Sequence, residues 1–393
     1  MKLKIGVLFG GDSVEHEVSV ISASQAMAAL DEEKYEVVPL YISKTHRLYS
    51  SPKLRDMDTY RDLDALEKNL PQVSLVRVKQ KFMIIPIEKK LFGNKDQEVD
   101  IVIPVVHGTH CEDGTVQGFL EMIGIPYSGC DVMAGAVGQD KVLMKHVLQN
   151  SGIPIVDWFW FYFYDLPQRQ EEIEAKADKI GYPLVIKPAN LGSSVGITVA
   201  KNIRELNEAI KEAGQYDNKI VVEKAVTNLR EINCSVLGYE KEVKASTLEE
   251  VGKSDEILSY QNKYQGGKKG PSKGMASTTR SIPAPLSAEM TSAIQNLAIE
   301  TFRELGATGV SRIDFLMDAD TEKVYVNEIN TNPGSLSFYL WEASGIKFPV
   351  LMDLLVKQAV DRQRRRERMI FSYSTNLLST YKSGGSKGSK HRE

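Results

Sequence analysis

Cysteine is scarce. Only Cys111, Cys130 and Cys234 occur in 393 residues. They form no spaced framework, which excludes a disulfide scaffold and points to a reduced, cytoplasmic setting. No stretch approaches the ~20 apolar residues of a membrane-spanning helix, so no membrane partner is expected. The opening "MKLKIGVLFGG" has too short an apolar run before its glycines for a signal peptide and reads as a first strand. An excess of either charge is also missing. The chain has 49 Lys and Arg against 52 Asp and Glu, a net −3, so no global field favours nucleic acid. The P-loop pattern G-x-x-x-x-G-K-[ST] is absent, and so is any internal repeat. His107, His110 and Cys111 lie close together in "VVHGTHCEDG", but no fourth ligand follows at zinc spacing and that reading is set aside.

What remains is ordinary globular composition, with 42% hydrophobic and 26% charged residues. That length suits two or three domains. "KIGVLFGG" is a strand ending in glycine, "DSVEHEVSVISASQAMAAL" a helix pattern and "YEVVPLYI" a second strand. This is a βαβ unit with a parallel sheet. "VDIVIPVVHG" is another buried strand. Residues 43–98 are polar and irregular and read as an insertion with some strand content. From Gly129 the pattern changes. "DKVLMKHVLQNSGIP" is a helix, and "YPLVIKPANLGSSVGITVA" is two strands joined by a Gly/Ser loop. "NIRELNEAIKEAG" has helical apolar spacing, and "KIVVEKAV" is a strand. Beyond residue 231 come further strands, the long polar loop "QNKYQGGKKGPSKGMAST", a helix, the strands "GVSRIDFLMD" and "KVYVNEIN", and a last helix. The arginine run that closes it reads as a solvated face. The terminal "KSGGSKGSKHRE" reads as disordered. The expected class is α/β and α+β, divided into 1–140, 141–230, 231–370 and an extension, 371–393.

Chemistry gathers at few places. "SRIDF" puts Arg312 and Asp314 on one face of a strand, and "NEIN" does the same for Glu328 and Asn330. By strict alternation Glu328 and Asn330 share the face of Val324 and Val326. Paired as a hairpin, the strands would collect oxygen ligands that suit Mg²⁺. A surface hairpin with an Arg–Asp–Glu salt network fits the same residues. "KPANLGSSVG" follows a strand; its loop amides suit phosphate oxygens and Lys187 a phosphate charge. A plain hairpin turn fits as well. Glu223 and Glu231 suit the hydroxyls of a ribose or an adenine amino group, or equally a solvated strand edge. Asp12 and Glu15 have capping-box spacing. Glu15 and His107 also follow strand carboxyl ends, where α/β sheets place ligands.

Taken together, "FGGDSVEHEVS", "HGTHCEDGTVQGFLEMIGIPYSG", "DKVLMK", "PLVIKPANLGSSVG", "VVEK", "YQNKY", "SRIDF" and "NEINTNPG" resemble the ATP-grasp superfamily, and within it the D-alanine–D-alanine ligases. The resemblance covers roughly residues 1 to 360. It implies an ATP-grasp fold behind an amino-terminal parallel-sheet domain. It also implies ligation of two D-alanines through an acyl phosphate for peptidoglycan. The implied cofactors are ATP and two Mg²⁺ ions, replaceable by Mn²⁺, and the implied assembly is a homodimer.

By that resemblance Asp314, Glu328 and Asn330 hold metal. Lys141, Lys187, Gly192, Ser194, Glu223, Lys224, Val226, Glu231 and Asn327 surround the nucleotide. Glu15, held through Ser193, takes the first amino group, with His107 near it. Arg312 and the Gly334 amide stabilise the oxyanion. A mobile lid, about 259–279, carries Lys263 and Tyr264; a tyrosine there favours an amine as second substrate. One departure stands out. In the family's Ser-Leu pair the serine meets the second carboxylate; here Tyr339 stands in its place, followed by Leu340, with Ser335 and Ser337 as substitute donors. A related ligase taking another second amino acid, such as D-serine, is the alternative.

Overall fold

The computed structural model describes residues 2–88, 95–252 and 280–372. Lys263, Tyr264, the whole of the expected lid and the terminal extension beyond residue 372 lie outside the described residues. Three sheets organise the rest.

The first sheet has seven strands in the order β6-β5-β4-β3-β2-β1-β7. They are β1 (Leu3–Gly10), β2 (Tyr35–Ile42), β3 (Leu48–Tyr49), β4 (Gln72–Val78), β5 (Lys81–Pro86), β6 (Gln97–Val99) and β7 (Ile101–Val106). β1 pairs parallel with both β2 and β7, and the remaining pairs are antiparallel. Residues 43–98 carry the expected strand content: they widen the βαβ sheet by four antiparallel strands. Alternation in β4, where Val73 and Leu75 are buried, is what seats them.

Helix α1 (His16–Ala29) follows β1. The capping box expected from Asp12 and Glu15 does not form. Glu15 is itself the N-cap position and makes no capping hydrogen bond, while Asp12 faces His46. The turn is held by Ser13, whose Oγ accepts from the Glu15 amide and donates to the His107 carbonyl. The Glu15 side chain, not used in a cap, lines the cleft.

The second sheet, β10-β9-β11-β8, contains β8 (Trp158–Tyr162), β9 (Leu184–Pro188), β10 (Thr198–Ala200) and β11 (Lys219–Lys224). Helices α6 (Leu166–Ile180) and α7 (Ile203–Ala213) cover one face through Ile173, Ala177, Leu206 and Ile210. The third sheet, β14-β13-β12-β15-β16, contains β12 (Leu229–Tyr239), β13 (Glu242–Val251), β14 (Arg280–Ser281), β15 (Gly309–Asp318) and β16 (Val324–Asn330). Helix α8 (Ala288–Glu304) buries Ile294, Ala298 and Phe302 on it.

Two helices cross between units. α5 (Lys141–Asn150) sends Met144 and Leu148 into the third sheet's core, although its Val142 packs with β11. The last helix, α10 (Phe348–Arg366), buries Leu351, Met352 and Leu355 in one core with Ile5 and Ile101 of the first sheet and Val20 of α1. In its arginine run Arg364 and Arg365 are exposed, as expected of a solvated face. Arg362 stacks 4.0 Å from the Tyr127 ring centre, and Arg366 lies 3.3 Å from Glu121. Such contacts lock the first and third sheets around a shared cleft.

Candidate active-site cleft

β15 and β16 pair antiparallel, with Asp314 opposite Glu328 and Arg312 opposite Asn330. The next pair is Phe315 with Val326, so Asn327 is an extra residue in β16. This bulge corrects the expected alternation. Val324 and Val326 face the core, and after Asn327 the parity reverses, so Ile329 returns to the core while Glu328 and Asn330 face the cleft. On β15, Ile313, Phe315 and Met317 fill the core and Arg312 and Asp314 line the cleft. The surface-hairpin alternative fails, because this face is the wall of a cavity of about 320 Å³.

Arg312 grips Asp314 with two hydrogen bonds, Nε to Oδ1 at 2.6 Å and Nη2 to Oδ2 at 2.7 Å. The Asn330 amide also donates to Asp314 Oδ2, at 3.1 Å. Opposite strand positions bring the Asp314 and Glu328 carboxylates side by side. Such a set of hard oxygens fits Mg²⁺, which keeps waters and takes further ligands from phosphates. Among the described residues there is no cluster of three or more His, Cys, Asp or Glu able to hold an ion alone. Asp314, Glu328 and Asn330 would thus supply only part of a coordination shell.

Cations converge from the second sheet. Lys141 Nζ lies 3.6 Å from Glu328 Oε2 and donates to the Leu191 carbonyl at 2.9 Å. Lys187 Nζ lies 2.8 Å from Glu223 Oε2 and 3.0 Å from Asn327 Oδ1. Glu223 is buried, so its solvated-edge reading is ruled out. Both its oxygens face lysines, because Lys145 approaches Oε1 at 3.0 Å. Lys145 went unnoticed in the sequence. The only signal was its position four residues after Lys141 on one helix.

The loop between β9 and β10 carries Gly192, Ser193 and Ser194 into the cleft wall, with left-handed backbone at both serines (φ 56° and 58°). Ser193 Oγ donates to Glu15 Oε1. A Cβ on Gly192 would stand 3.1 Å from Glu15 Oε2, so glycine keeps that space. Val185, Val199, Val226, Leu229 and Leu316 form an apolar end beside Glu231. Lys224 presents backbone there, since its Nζ donates to the Gly181 and Tyr182 carbonyls.

His107 lines the cleft but spends both nitrogens structurally. Nδ1 donates to the Asn332 carbonyl at 2.7 Å, and Nε2 accepts from Ser22 Oγ at 3.1 Å. Burial pulls its pKa down to about 4. Its neighbour Glu112, also missed, takes the Gly108 amide at 3.0 Å. Burial, then the Glu15 charge, pushes the Glu112 carboxyl up to about 8.

Gly334 reaches the cleft wall, but the residues after it do not. Ser335, Leu336 and Ser337 all adopt left-handed backbone (φ 52°, 52° and 48°), which turns the chain away. Ser335 is buried, its amide donating to Ser22 Oγ at 2.8 Å. Tyr339 and Leu340 fall in the first turn of α9 (Phe338–Ala343), where Leu340 is fully buried. Tyr339 stands behind the wall with its hydroxyl on Glu249 Oε1 at 2.7 Å. Ser335, Tyr339 and Leu340 thus do not line the cleft as expected of substrate-binding residues.

Comparison with known proteins agrees with this architecture. Residues 4–130 match the family model described as D-ala D-ala ligase N-terminus, and residues 147–357 match D-ala D-ala ligase C-terminus. The D-alanine–D-alanine ligase of Thermosipho melanesiensis is 39% identical over 376 residues, covering 96% of this chain and 98% of that one. The ligase of the same name from Caldicellulosiruptor bescii is 40% identical, covering 94% and 99%. Among solved structures, the D-alanine-D-alanine ligase from Coxiella burnetii superposes with TM-score 0.75 at 32% identity, covering 93% and 96%. The VanG D-Ala:D-Ser ligase from Enterococcus faecalis gives 0.76 at 30%, covering 91% and 100%. The three sheets are therefore an ATP-grasp fold behind an amino-terminal mixed sheet, and the chain belongs to the D-alanine–D-alanine ligase family.

Proposed function

We propose that this cleft joins two D-alanine molecules into D-alanyl-D-alanine, converting ATP to ADP and phosphate, for peptidoglycan synthesis. One observation carries the reading. Arg312, Asp314, Glu328 and Asn330 form a continuous wall of the same cleft as Lys141, Lys187 and the Gly/Ser loop. A carboxylate acylates an amine only once its oxygen becomes a leaving group. Transfer of the γ-phosphoryl group to the first D-alanine provides this, and the second amine then displaces phosphate. Such transfer needs positioning and charge neutralisation more than covalent help.

Lys141 and Lys187 meet the phosphates. Glu223 and Glu231 lie toward the nucleoside with the backbone of Lys224 to Val226, and Gly192, Ser194 and Asn327 border the triphosphate. Glu15, fixed by Ser193, binds the first ammonium group. Arg312 and the Gly334 N–H take charge on the tetrahedral oxyanion. Asp314, Glu328 and Asn330 are the residues that would hold Mg²⁺; two such ions, replaceable by Mn²⁺, supply charge neutralisation on phosphate oxygens when bound. A cytoplasmic homodimer completes the reading. Among the described residues, no helix is long and apolar enough to cross a membrane.

The test is the mass of the product formed from D-alanine and ATP alone, followed by a panel of second amino acids including D-serine. D-Alanyl-D-alanine with stoichiometric ADP supports the reading. Nucleotide binding without phosphate release overturns it.

A further inference from the structure

The wall beyond the metal-side residues carries a cluster that the reaction scheme leaves unused. Across the third sheet one row of paired positions runs Glu328, Asp314, Asn233, Glu249. Strands lie about 4.8 Å apart, so Glu249 stands about 14 Å from Glu328 along this row. Glu249 is 1% exposed although its carboxylate borders the cleft. Its Oε1 accepts from the Tyr339 hydroxyl at 2.7 Å and the Asn233 amide at 3.0 Å. Its Oε2 lies 3.5 Å from Arg280 Nη1. The same guanidinium sits 5.3 Å from the centre of the Tyr339 ring. Arg280 is thus sandwiched between a buried carboxylate and an aromatic face, with the cleft before it.

A guanidinium in such a frame matches one ligand chemistry well. Its planar fork of donors fits a carboxylate edge on, and a contact of 3.5 Å to Glu249 is long for a charge-assisted hydrogen bond. Glu249 therefore holds the guanidinium in place at the cleft edge. The attacking amino acid brings its amine to the carbonyl near Arg312. Its own carboxylate has to point away from the phosphates and the acidic metal-side groups, because like charges repel. The wall on that side carries Arg280. Tyr339, which replaces the family's serine, does not project into the cleft and supports Arg280 and Glu249 from behind.

We infer that Arg280 receives the α-carboxylate of the second amino acid, with Glu249 and Tyr339 as its positioning residues. This rests on the ligase reading above. Specificity at the second position is thereby moved from a hydroxyl on the loop after Gly334 to a guanidinium on β14.

The test compares D-alanine with D-alaninamide as second substrate, D-alanine being the first in both. The amide has no carboxylate to phosphorylate, so it enters only as the nucleophile. The wild-type chain is expected to prefer D-alanine strongly. In Arg280→Gln the KM for the second D-alanine rises about 10- to 100-fold, the size of a lost charge-assisted contact. Use of D-alaninamide and the KM for ATP stay near wild type, so the preference collapses. Arg280→Lys and Tyr339→Phe give intermediate preferences, and these carry the test should Arg280→Gln not fold. Unchanged preference in all soluble variants, or equal loss toward both nucleophiles, overturns the inference. Failure of the wild-type chain to make any dipeptide would instead overturn the ligase reading.

Discussion

The Glu223 carboxylate is shared by two lysines, Lys145 at 3.0 Å on one oxygen and Lys187 at 2.8 Å on the other. Lys145 is fully buried, and its contact is an ion pair without hydrogen-bond alignment. Burial raises the Glu223 pKa, but Lys145 and then Lys187 outweigh it and hold the carboxyl at about 2. Breaking such a pair from one side leaves a buried charge, which costs about 3–5 kcal/mol. Lys187 still faces the other oxygen, so Lys145→Met should lose less than that, about 1–3 kcal/mol, in urea unfolding. It should also raise the KM for ATP, because Lys187 then carries the whole Glu223 charge. A stability change under about 1 kcal/mol would show the pair to be inert. The pH sign follows from the depressed pKa: this stabilisation is present above the ordinary carboxyl range and disappears as pH falls from about 4.5 toward about 2. Glu223→Gln should lack that share of the acid transition.

Glu112 makes the opposite prediction. Its folded pKa, about 8, lies above the ordinary value. The folded state then binds the extra proton. Its contribution is complete below about 4.5 and is lost as pH rises through about 8. In the metal-free, nucleotide-free chain, Glu112→Gln keeps the acceptor for the Gly108 amide and removes this slope. Unfolding free energies measured between pH 5 and 8 should fall less steeply in the variant. Parallel curves would refute the raised pKa.

Glu328→Gln removes one of two facing carboxylates and leaves the bulge and the core residues Val326 and Ile329 unchanged. The chain should fold normally by circular dichroism and lose at least 100-fold in turnover with Mg²⁺ present, the scale of a lost electrostatic stabiliser. Chelation of divalent ions should abolish wild-type turnover. Wild-type rates in the variant would remove the metal role.

Ser193→Ala deletes the hydrogen bond to Glu15. A hydrogen bond to a charged group is worth about 1.5–3 kcal/mol, so the KM for the first D-alanine should rise about tenfold or more. The KM for ATP should move much less, which steady-state kinetics with each substrate varied in turn will show. An equal rise in both would mean that the loop has collapsed.

The sequence by itself settled a great deal. Apolar runs ending in glycine gave the βαβ unit, and the spacing of "SRIDF" and "NEIN" gave a hairpin with Arg312, Asp314, Glu328 and Asn330 on it. The Gly/Ser loop was legible as a turn between strands. These are local signals, set by side-chain periodicity and turn chemistry. Three features were decided only by tertiary structure. The bulge at Asn327 turns Glu328 to the cleft, and no period-two pattern encodes an extra residue. Lys145 and Glu223 meet from different elements, so each alone looks like an ordinary solvated charge. Tyr339 is withdrawn behind the wall by the left-handed turn at Ser335 to Ser337, and the cluster of Tyr339, Glu249 and Arg280 joins residues far apart in the chain. Proximity across sheets depends on how their cores pack, and that is a property of the whole fold, not of any short stretch.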